Sequence, residues 1–255
     1  MPNILELLTV QSSSIRTLCD VLKETLNDVN FCFSNEGMKV MAMDGSHVAL
    51  ISLKLYASRF EYYYCANKIY VGLNMTSFFK LIKTVTNTDT VCFYIDSENT
   101  HEFCIRIENA DKNSKTVFKL KMLDIDEEEL KIPDIELDSV ITMPSNDFQR
   151  LCRDMNNISE AIEITVCDDC LKLKCEGEFA CQETLIGETT HGLAFSKKRD
   201  VVGGRFSLKY INLFTKSTNL SNTLDIYLKS DFPLMLKYNV ANLGDIMFVL
   251  ASKVN

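Results

Sequence analysis

The sequence predicts an α+β protein built from two similar domains, each with two helices packed on antiparallel sheet. Three observations lead there. The chain nearly repeats itself at an offset of 133 residues, so that segment 73–95 lies over segment 206–228 without a gap. Apolar residues switch between a helical period and strict alternation in the same order in both halves. An acidic stretch closed by a proline separates the halves. A repeat this long is a whole domain and not a solenoid unit.

The elements follow in order. Ser12 to Cys19 lies over Ser145 to Cys152 at the repeat offset, and Met38-Lys39-Val40 over Leu171-Lys172-Leu173. Ile15, Leu18, Cys19, Leu22 and Leu26 have helical spacing. Residues 40–43 and 47–53 read as strands joined by a turn at Asp44-Gly45-Ser46. Met75, Phe78, Phe79, Ile82 and Val85 make a second helical stripe, followed by strands at 90–95 and 103–108. In the second half Phe148, Leu151, Cys152 and Met155 form the first stripe. Leu208, Ile211 and Phe214 form the second, and strands follow at 224–229 and 234–240. The resulting division is a first domain over 1–122, a connecting linker over 123–134 and a second domain over 135–255.

The linker, Leu123-Asp124-Ile125-Asp126-Glu127-Glu128-Glu129-Leu130-Lys131-Ile132-Pro133, breaks the strand pattern and reads as an extended strap. A carboxylate metal site is the rival reading, but consecutive acids cannot converge on one ion without a sharp turn. Leu130 and Ile132 are the odd members. Apolar residues on an exposed strap either dock on the body or wait for a partner.

Composition narrows the class. Of 255 residues 46% are hydrophobic, enough for two cores. No apolar run reaches the roughly 18 residues needed to cross a bilayer. The start lacks a basic, apolar leader. A soluble, intracellular protein without membrane contact is expected. Ten cysteines are spread along the chain, and buried free thiols fit better than disulfides. Cys167-Asp168-Asp169-Cys170 is a CxxC, with Cys175 and Cys181 beyond it. Zinc ligation would need a second pair at the usual spacing. Asp168-Asp169 instead falls where a hairpin turn belongs, between Ile162-Glu163-Ile164 and Leu171-Lys172-Leu173.

The formal net charge is −8, which taken globally argues against nucleic acid. Its distribution does not. Twelve-residue windows over the four predicted helices, 14–25, 74–85, 146–157 and 207–218, hold eight basic and four acidic residues. The basic ones are Arg16, Lys23, Lys80, Lys83, Arg150, Arg153, Lys209 and Lys216. Elsewhere the chain holds 19 basic and 31 acidic residues. Within each window the basic pair is three or seven residues apart and shares a helical face. In the last three windows that face points away from the apolar stripe, whereas Arg16 and Lys23 flank it. Any solvated helix carries lysines. Their coincidence in all four repeat-related helices points to a phosphate backbone, contacted without base readout.

Nothing in the pattern supports catalysis. His47, His101 and His191 have no neighbours that suggest a nucleophile–base pair. His47, in a predicted strand, reads as a packed or hydrogen-bonded residue before it reads as a base. There is no phosphate-cradling glycine loop; Gly203-Gly204 is an isolated pair. No cofactor and no metal are expected. Lys197-Lys198-Arg199 reads as a solvated loop.

Several stretches resemble the proliferating cell nuclear antigen family of DNA sliding clamps. These are Ala42-Met43-Asp44-Gly45-Ser46-His47-Val48-Ala49-Leu50, the linker Leu130-Lys131-Ile132-Pro133, the run from Met143 to Asp154, and Tyr210-Ile211-Asn212-Leu213-Phe214-Thr215-Lys216. The resemblance covers essentially the whole chain in order. It implies two clamp domains per chain and a head-to-tail homotrimeric ring whose helices line a hole around double-stranded DNA. It also implies partners that include DNA polymerase, a clamp loader and other proteins carrying a clamp-binding peptide. The place of action would be the nucleus, or a cytoplasmic replication site if the chain is viral. By the family pattern, the subunit edges lie near Thr116–Lys121 and Cys175–Gln182, with Thr116, Phe118, Leu120, Cys175, Phe179 and Cys181 as interface residues.

The resemblance also implies a pocket for a short peptide carrying a glutamine, an aliphatic plug and two aromatics. The matching positions are Met43, His47, Val48, Leu50, Leu130, Ile132, Pro233, Leu250 and Ala251. This sequence departs from the family at Val249, where an aromatic is usual, and at Ser252, where proline is usual. Peptide preference is therefore expected to differ. Three rivals stay open within the residues: a subunit of a heteromeric checkpoint clamp or non-loading decoy, a peptide-binding scaffold that does not touch DNA, and an undetected enzyme.

Overall fold

The computed structural model describes residues 3–126, 130, 136–167, 170–197 and 202–253. The chain forms two compact units that are not contiguous in sequence. One comprises Met1–Gly45, Ser52–Leu130 and Val240–Ile246, the other Ser46–Ile51, Lys131–Asn239 and Met247–Asn255.

The strands and helices of the first half are β1 (Asn3–Thr9), α1 (Ser12–Thr25), β2 (Asp28–Ser34), β3 (Gly37–Met43), β4 (Ala49–Tyr56), β5 (Tyr62–Cys65), β6 (Ile69–Asn74), α2 (Met75–Ile82), β7 (Asp89–Asp96), β8 (Asn99–Asn109) and β9 (Ser114–Lys121). In the first unit a five-stranded sheet runs β5-β1-β7-β8-β9. It is antiparallel throughout, with Leu7 opposite Phe93 and Ile105 opposite Phe118. Beside it β2 pairs antiparallel with β3 and with β6, Phe31 facing Val71. Both helices bury their apolar stripes on these strands: Ile15, Leu18, Cys19, Val21 and Leu22 from α1, and Met75, Phe78 and Ile82 from α2. Phe78 is the hub, with ring centroids 6.2 Å from Phe31, 5.7 Å from Phe93 and 6.0 Å from Phe103. Such aromatic groups contribute beyond their buried area.

The second half continues with β10 (Ser139–Pro144), α3 (Ser145–Asn156), β11 (Ala161–Cys167), β12 (Cys170–Glu176), β13 (Cys181–Gly187), β14 (Ala194–Lys197), β15 (Val202–Ser207), α4 (Leu208–Phe214), β16 (Thr223–Leu228), β17 (Leu234–Val240) and β18 (Gly244–Leu250). In the second unit one sheet runs β13-β12-β11-β15, and β10 pairs antiparallel with β14 and β16, which pairs with β17. Its core is aromatic again: Phe214 stacks on Phe248 at 4.5 Å, and Tyr238 meets Phe248 edge-on at 6.2 Å.

The fold is thus α+β, with four α-helices and antiparallel strands among the described residues. The repeat is visible in detail. Ser12 at the start of α1 donates its hydroxyl to the Asp89 carbonyl, and Ser145 at the start of α3 donates to the Ser221 carbonyl at 2.6 Å. In both units the first helix is pinned to the entry of the strand that follows the second.

Several expectations shift. β4 starts at Ala49 and not at His47, because His47 takes a left-handed conformation with φ of 54° and ends the turn two residues late. α2 stops at Ile82, and Val85, expected on its stripe, is buried in the turn after it. α4 stops at Phe214 and the chain tightens into a 3-10 turn over Thr215–Asn219 that carries Lys216. The Asp168-Asp169 turn lies outside the described residues; the strands on either side bring Cys167 opposite Cys170.

The start of the strap is docked on the first unit. Leu123 donates its N–H to the Gly72 carbonyl at 2.8 Å, and Asn30 Nδ2 donates to the Ile125 carbonyl at 2.9 Å. A Cβ on Gly72 would come within 2.2 Å of the Leu123 oxygen, so only glycine admits this approach.

All ten cysteines are free thiols. Cys19 and Cys152, equivalent in the repeat, are buried, and burial pushes both thiols far above their ordinary range. Burial likewise pushes Cys92 up to about 12. Thiols held protonated in this way are poor nucleophiles.

Candidate functional site

The basic residues of the four helices are not equivalent. In α1, Arg16 turns inward and donates from a guanidinium nitrogen to the Val85 carbonyl at 2.8 Å. Lys23 lies 2.8 Å from Asp20 and 2.7 Å from Glu24, with its ammonium 4.7 Å above the Phe79 ring of α2. Hydrogen bonds to those two carboxylates raise its pKa and hold the charge in place. The cations of α1 are therefore spent on the first unit itself.

Lys80 on α2 and Lys83 at its C-cap are exposed, as are Arg150 and Arg153 on α3 and Lys209 on α4. Lys80, Lys83, Arg153 and Lys209 make no ion pair with any described residue; Arg150 has Asp147 at 3.3 Å. Lys216 is half-buried and engaged. The positive face of each helix pair is thus carried by α2 in the first unit and by α3 with α4 in the second. Long, solvated cations on a helix face suit phosphate oxygens at variable distance, a contact without sequence information.

The peptide-pocket residues divide as follows. Met43 ends β3, half-buried, in the first unit. In the second unit, the exposed His47 and the half-buried Val48 precede β4, and the Val48 carbonyl accepts the Ala251 N–H at 3.0 Å. This bond ties the C-terminal segment to the turn. Leu50 and Pro233 are half-buried and Ala251 is exposed. Leu250 is fully buried and packs inward. Leu130 lines a cleft of about 290 Å³ in the first unit. Ile132 lies outside the described residues.

That cleft is the feature sequence reasoning missed. Lys39 and Lys54 stand at it, with Met41, Ser52 and Tyr70. The available signal was period two: Lys39, Met41 and Met43 alternate along one strand and share a face.

Two of the sheet edges lie near the positions expected for subunit contact. β9 ends the five-stranded sheet and β13 ends the four-stranded one. β9 carries Lys115, Lys119 and Lys121, with Thr116 exposed, Phe118 and Leu120 half-buried and Val117 42% exposed. β13 carries Glu183 and Leu185, and Phe179 just before it is 78% exposed. The edge expected at Cys175–Gln182 therefore begins later, at Cys181. Cys175 sits in β12, buried between β11 and β13, because the turn closed by the Gly177 N–H on the Ala180 carbonyl separates it from the outer strand. Unpaired edges of this kind invite another strand. No group of three or more potential metal ligands occurs among the described residues.

The comparisons agree with one another. Residues 4–129 match the family model described as "Proliferating cell nuclear antigen, N-terminal domain", and residues 131–253 match "Proliferating cell nuclear antigen, C-terminal domain". The chain is 37% identical over 247 residues to the "Probable DNA polymerase sliding clamp 1" of Paramecium bursaria Chlorella virus 1, covering 95% of this chain and 94% of that protein. Two matching domains over nearly the full length, on a duplicated two-helix fold, place the chain in the proliferating cell nuclear antigen family.

Proposed function

We propose that this chain is a DNA sliding clamp, a processivity factor that encircles duplex DNA and tethers DNA polymerase and other replication and repair proteins to it. The observation that carries the reading is the concentration of basic over acidic residues in the helical windows, eight against four, in a protein whose remainder is strongly acidic and whose net charge is −8. Such a surface is attracted to phosphates on one side only and stays soluble elsewhere. The activity is mechanical: no bond is made or broken, and no cofactor or metal is needed.

The ring would be a homotrimer. β9 is lysine-rich and β13 carries a glutamate, and each exposes apolar side chains beside its open edge. Joining β9 of one copy to β13 of the next removes both edges and repeats head to tail until the circle closes. The interface would use Thr116, Phe118, Leu120, Phe179 and Cys181. Of the eight basic residues expected to face the DNA, Arg150, Arg153, Lys80, Lys83 and Lys209 would do so, with Lys216 beside them, while Arg16 and Lys23 are engaged within the first unit. Met43, His47, Val48, Leu50, Leu130, Ile132, Pro233 and Ala251 would line the partner-peptide pocket, backed by Leu250. The domain limits 1–122, 123–134 and 135–255 remain our division of the chain. We assign its place of action to the replication site, nuclear or, for a viral chain, cytoplasmic.

Light scattering across a dilution series tests the ring. A mass of about 87 kDa, three times 29.0 kDa, is expected. A stable monomer at micromolar concentration rejects the homotrimer. Retention on closed circular DNA, with loss on linearisation, then tests encirclement.

A further inference from the structure

We infer that the cleft beside Leu130 is a docking site for an extended acidic segment of a partner protein, next to the peptide plug. The inference rests on the proposed pocket and extends it along the sheet.

Lys39, Met41 and Met43 lie on one face of β3, and Ser52, Lys54 and Tyr56 on one face of β4, since successive strand residues alternate. The face therefore changes character along its length, from Met43 at the pocket end to Lys39 and Lys54 at the far end. Both lysines, with Tyr70, line a cleft of about 290 Å³. That volume suits a few side chains of an extended peptide. Tyr70 is 49% exposed, and the Lys68 ammonium lies 5.0 Å over its ring, a further cation beside the cleft.

The chain itself shows what this end of the cleft binds. Glu36, three residues before Lys39, places a carboxylate oxygen 2.6 Å from Lys39 Nζ. The hydrogen bond from Lys39, and then the charges of Lys39 and Lys54, hold the Glu36 carboxyl below its ordinary range. Lys39 thus already holds one exposed carboxylate directly, and Lys54 acts on it through its charge alone. Lys54 makes no ion pair with any described residue; its ammonium rests 4.9 Å over the Tyr56 ring. A partner's glutamate could replace Glu36 or share the pair of lysines with it.

The spacing is defined by the strand. Met43 to Lys39 is four residues, about 13 Å at roughly 3.3 Å per residue. An acidic residue about four positions from the plug would reach the lysines. The competing charges come from the strap, where Asp124 and Asp126 are exposed and would favour a basic segment instead.

Three peptides decide between these, each with the glutamine, plug and two aromatics, and with Glu, Gln or Lys four positions away on either side of the plug. Binding to the full chain is read by fluorescence anisotropy. The Glu peptide is expected to bind about three- to tenfold tighter than the Gln peptide, with the gap shrinking at high salt. The double variant Lys39→Ala/Lys54→Ala should erase the gap while leaving the Gln peptide unchanged, and Glu36→Gln should widen it by removing the internal competitor. Equal binding of Glu and Gln peptides overturns the inference, as does preference for the Lys peptide. So does a double variant that weakens all three alike, which would make the lysines props for the strap. Should none of the plug peptides bind, the pocket reading falls. The cleft is then judged by titrating an isolated acidic peptide and following the Tyr70 and Lys54 amide signals, where no perturbation overturns it.

Discussion

Arg16 in α1 and Gln149 in α3 occupy equivalent places in the repeat, and both reach the backbone at the end of the second helix of their unit. Arg16 donates to the Val85 carbonyl at 2.8 Å and Gln149 to the Thr215 carbonyl at 2.6 Å. The geometry is shared; the charge is not. The first unit uses a cation for this internal lock, and places a second, Lys23, between Asp20, Glu24 and the Phe79 ring. In the second unit a neutral amide makes the lock, Asn156 stands in place of Lys23, and Arg150 and Arg153 occupy the positions of Thr17 and Asp20. The first helix is thus held by half-buried charge in one unit and leaves its charge exposed in the other. Counting cations per helix hides this. Their partners decide whether they are available to DNA.

The comparison can be broken first in the cores. Phe78→Ala should destabilise the first unit by about 3–5 kcal/mol, and Ile211→Ala, its repeat counterpart, the second by about 2–5 kcal/mol. Urea unfolding followed by probes in each unit reads both; equal, small losses would show that neither residue is a packing hub.

The electrostatic contrast comes next. Each lost phosphate contact lowers the slope of log K against log salt by about 0.9. Lys209→Met and Arg153→Met should each reduce that slope in DNA-binding titrations, whereas Lys23→Met should leave it unchanged and lower thermal stability instead. A reduced slope for the Lys23 variant would return α1 to the DNA-facing set.

Removing the locks gives a smaller effect. Arg16→Ala is expected to cost about 1.5–3 kcal/mol, as for a hydrogen bond to a charged group, and Gln149→Ala about 1 kcal/mol. Chemical denaturation of the two variants compares them directly, and a costlier Gln149 variant would contradict the difference drawn above.

The caps are the finest distinction. Asn74 Oδ1 accepts the Ser77 N–H at 2.9 Å at the start of α2, while its counterpart Ser207 makes no side-chain cap at α4. Asn74→Ala should cost about 1 kcal/mol and Ser207→Ala only a few tenths. Circular dichroism melts of both variants check this, and equal losses would mean that the Ser207 hydroxyl caps α4 in solution.

Much of this was legible in the chain. The repeat, the stripes of Ile15-Leu18-Leu22 and Phe148-Cys152-Met155, and the strands around Phe93 and Ile226 followed from periodicity alone, because burial of one face imposes its own spacing. The helix ends did not. Val85 and Lys216 have the right spacing for a helix and lie beyond one, since spacing reports which side is buried and not where the backbone turns. His47 looked like a strand residue because β-propensity carries no information about a left-handed turn.

The charges divide in the same way. Sequence determined that cations concentrate in four helical windows of an acidic protein, because helical period fixes which residues share a face. Only the tertiary structure decided that Arg16 and Lys23 are occupied while Lys80, Arg153 and Lys209 are free. That depends on the Val85 carbonyl and the Phe79 ring, contributed by parts of the chain whose approach no local pattern encodes, whereas Asp20 and Glu24 beside Lys23 are neighbours that helical spacing already shows. The cleft at Lys39 and Lys54 is of the second kind too: its lysines stand on consecutive strands, β3 and β4, and only the pairing of those strands brings them to one cleft.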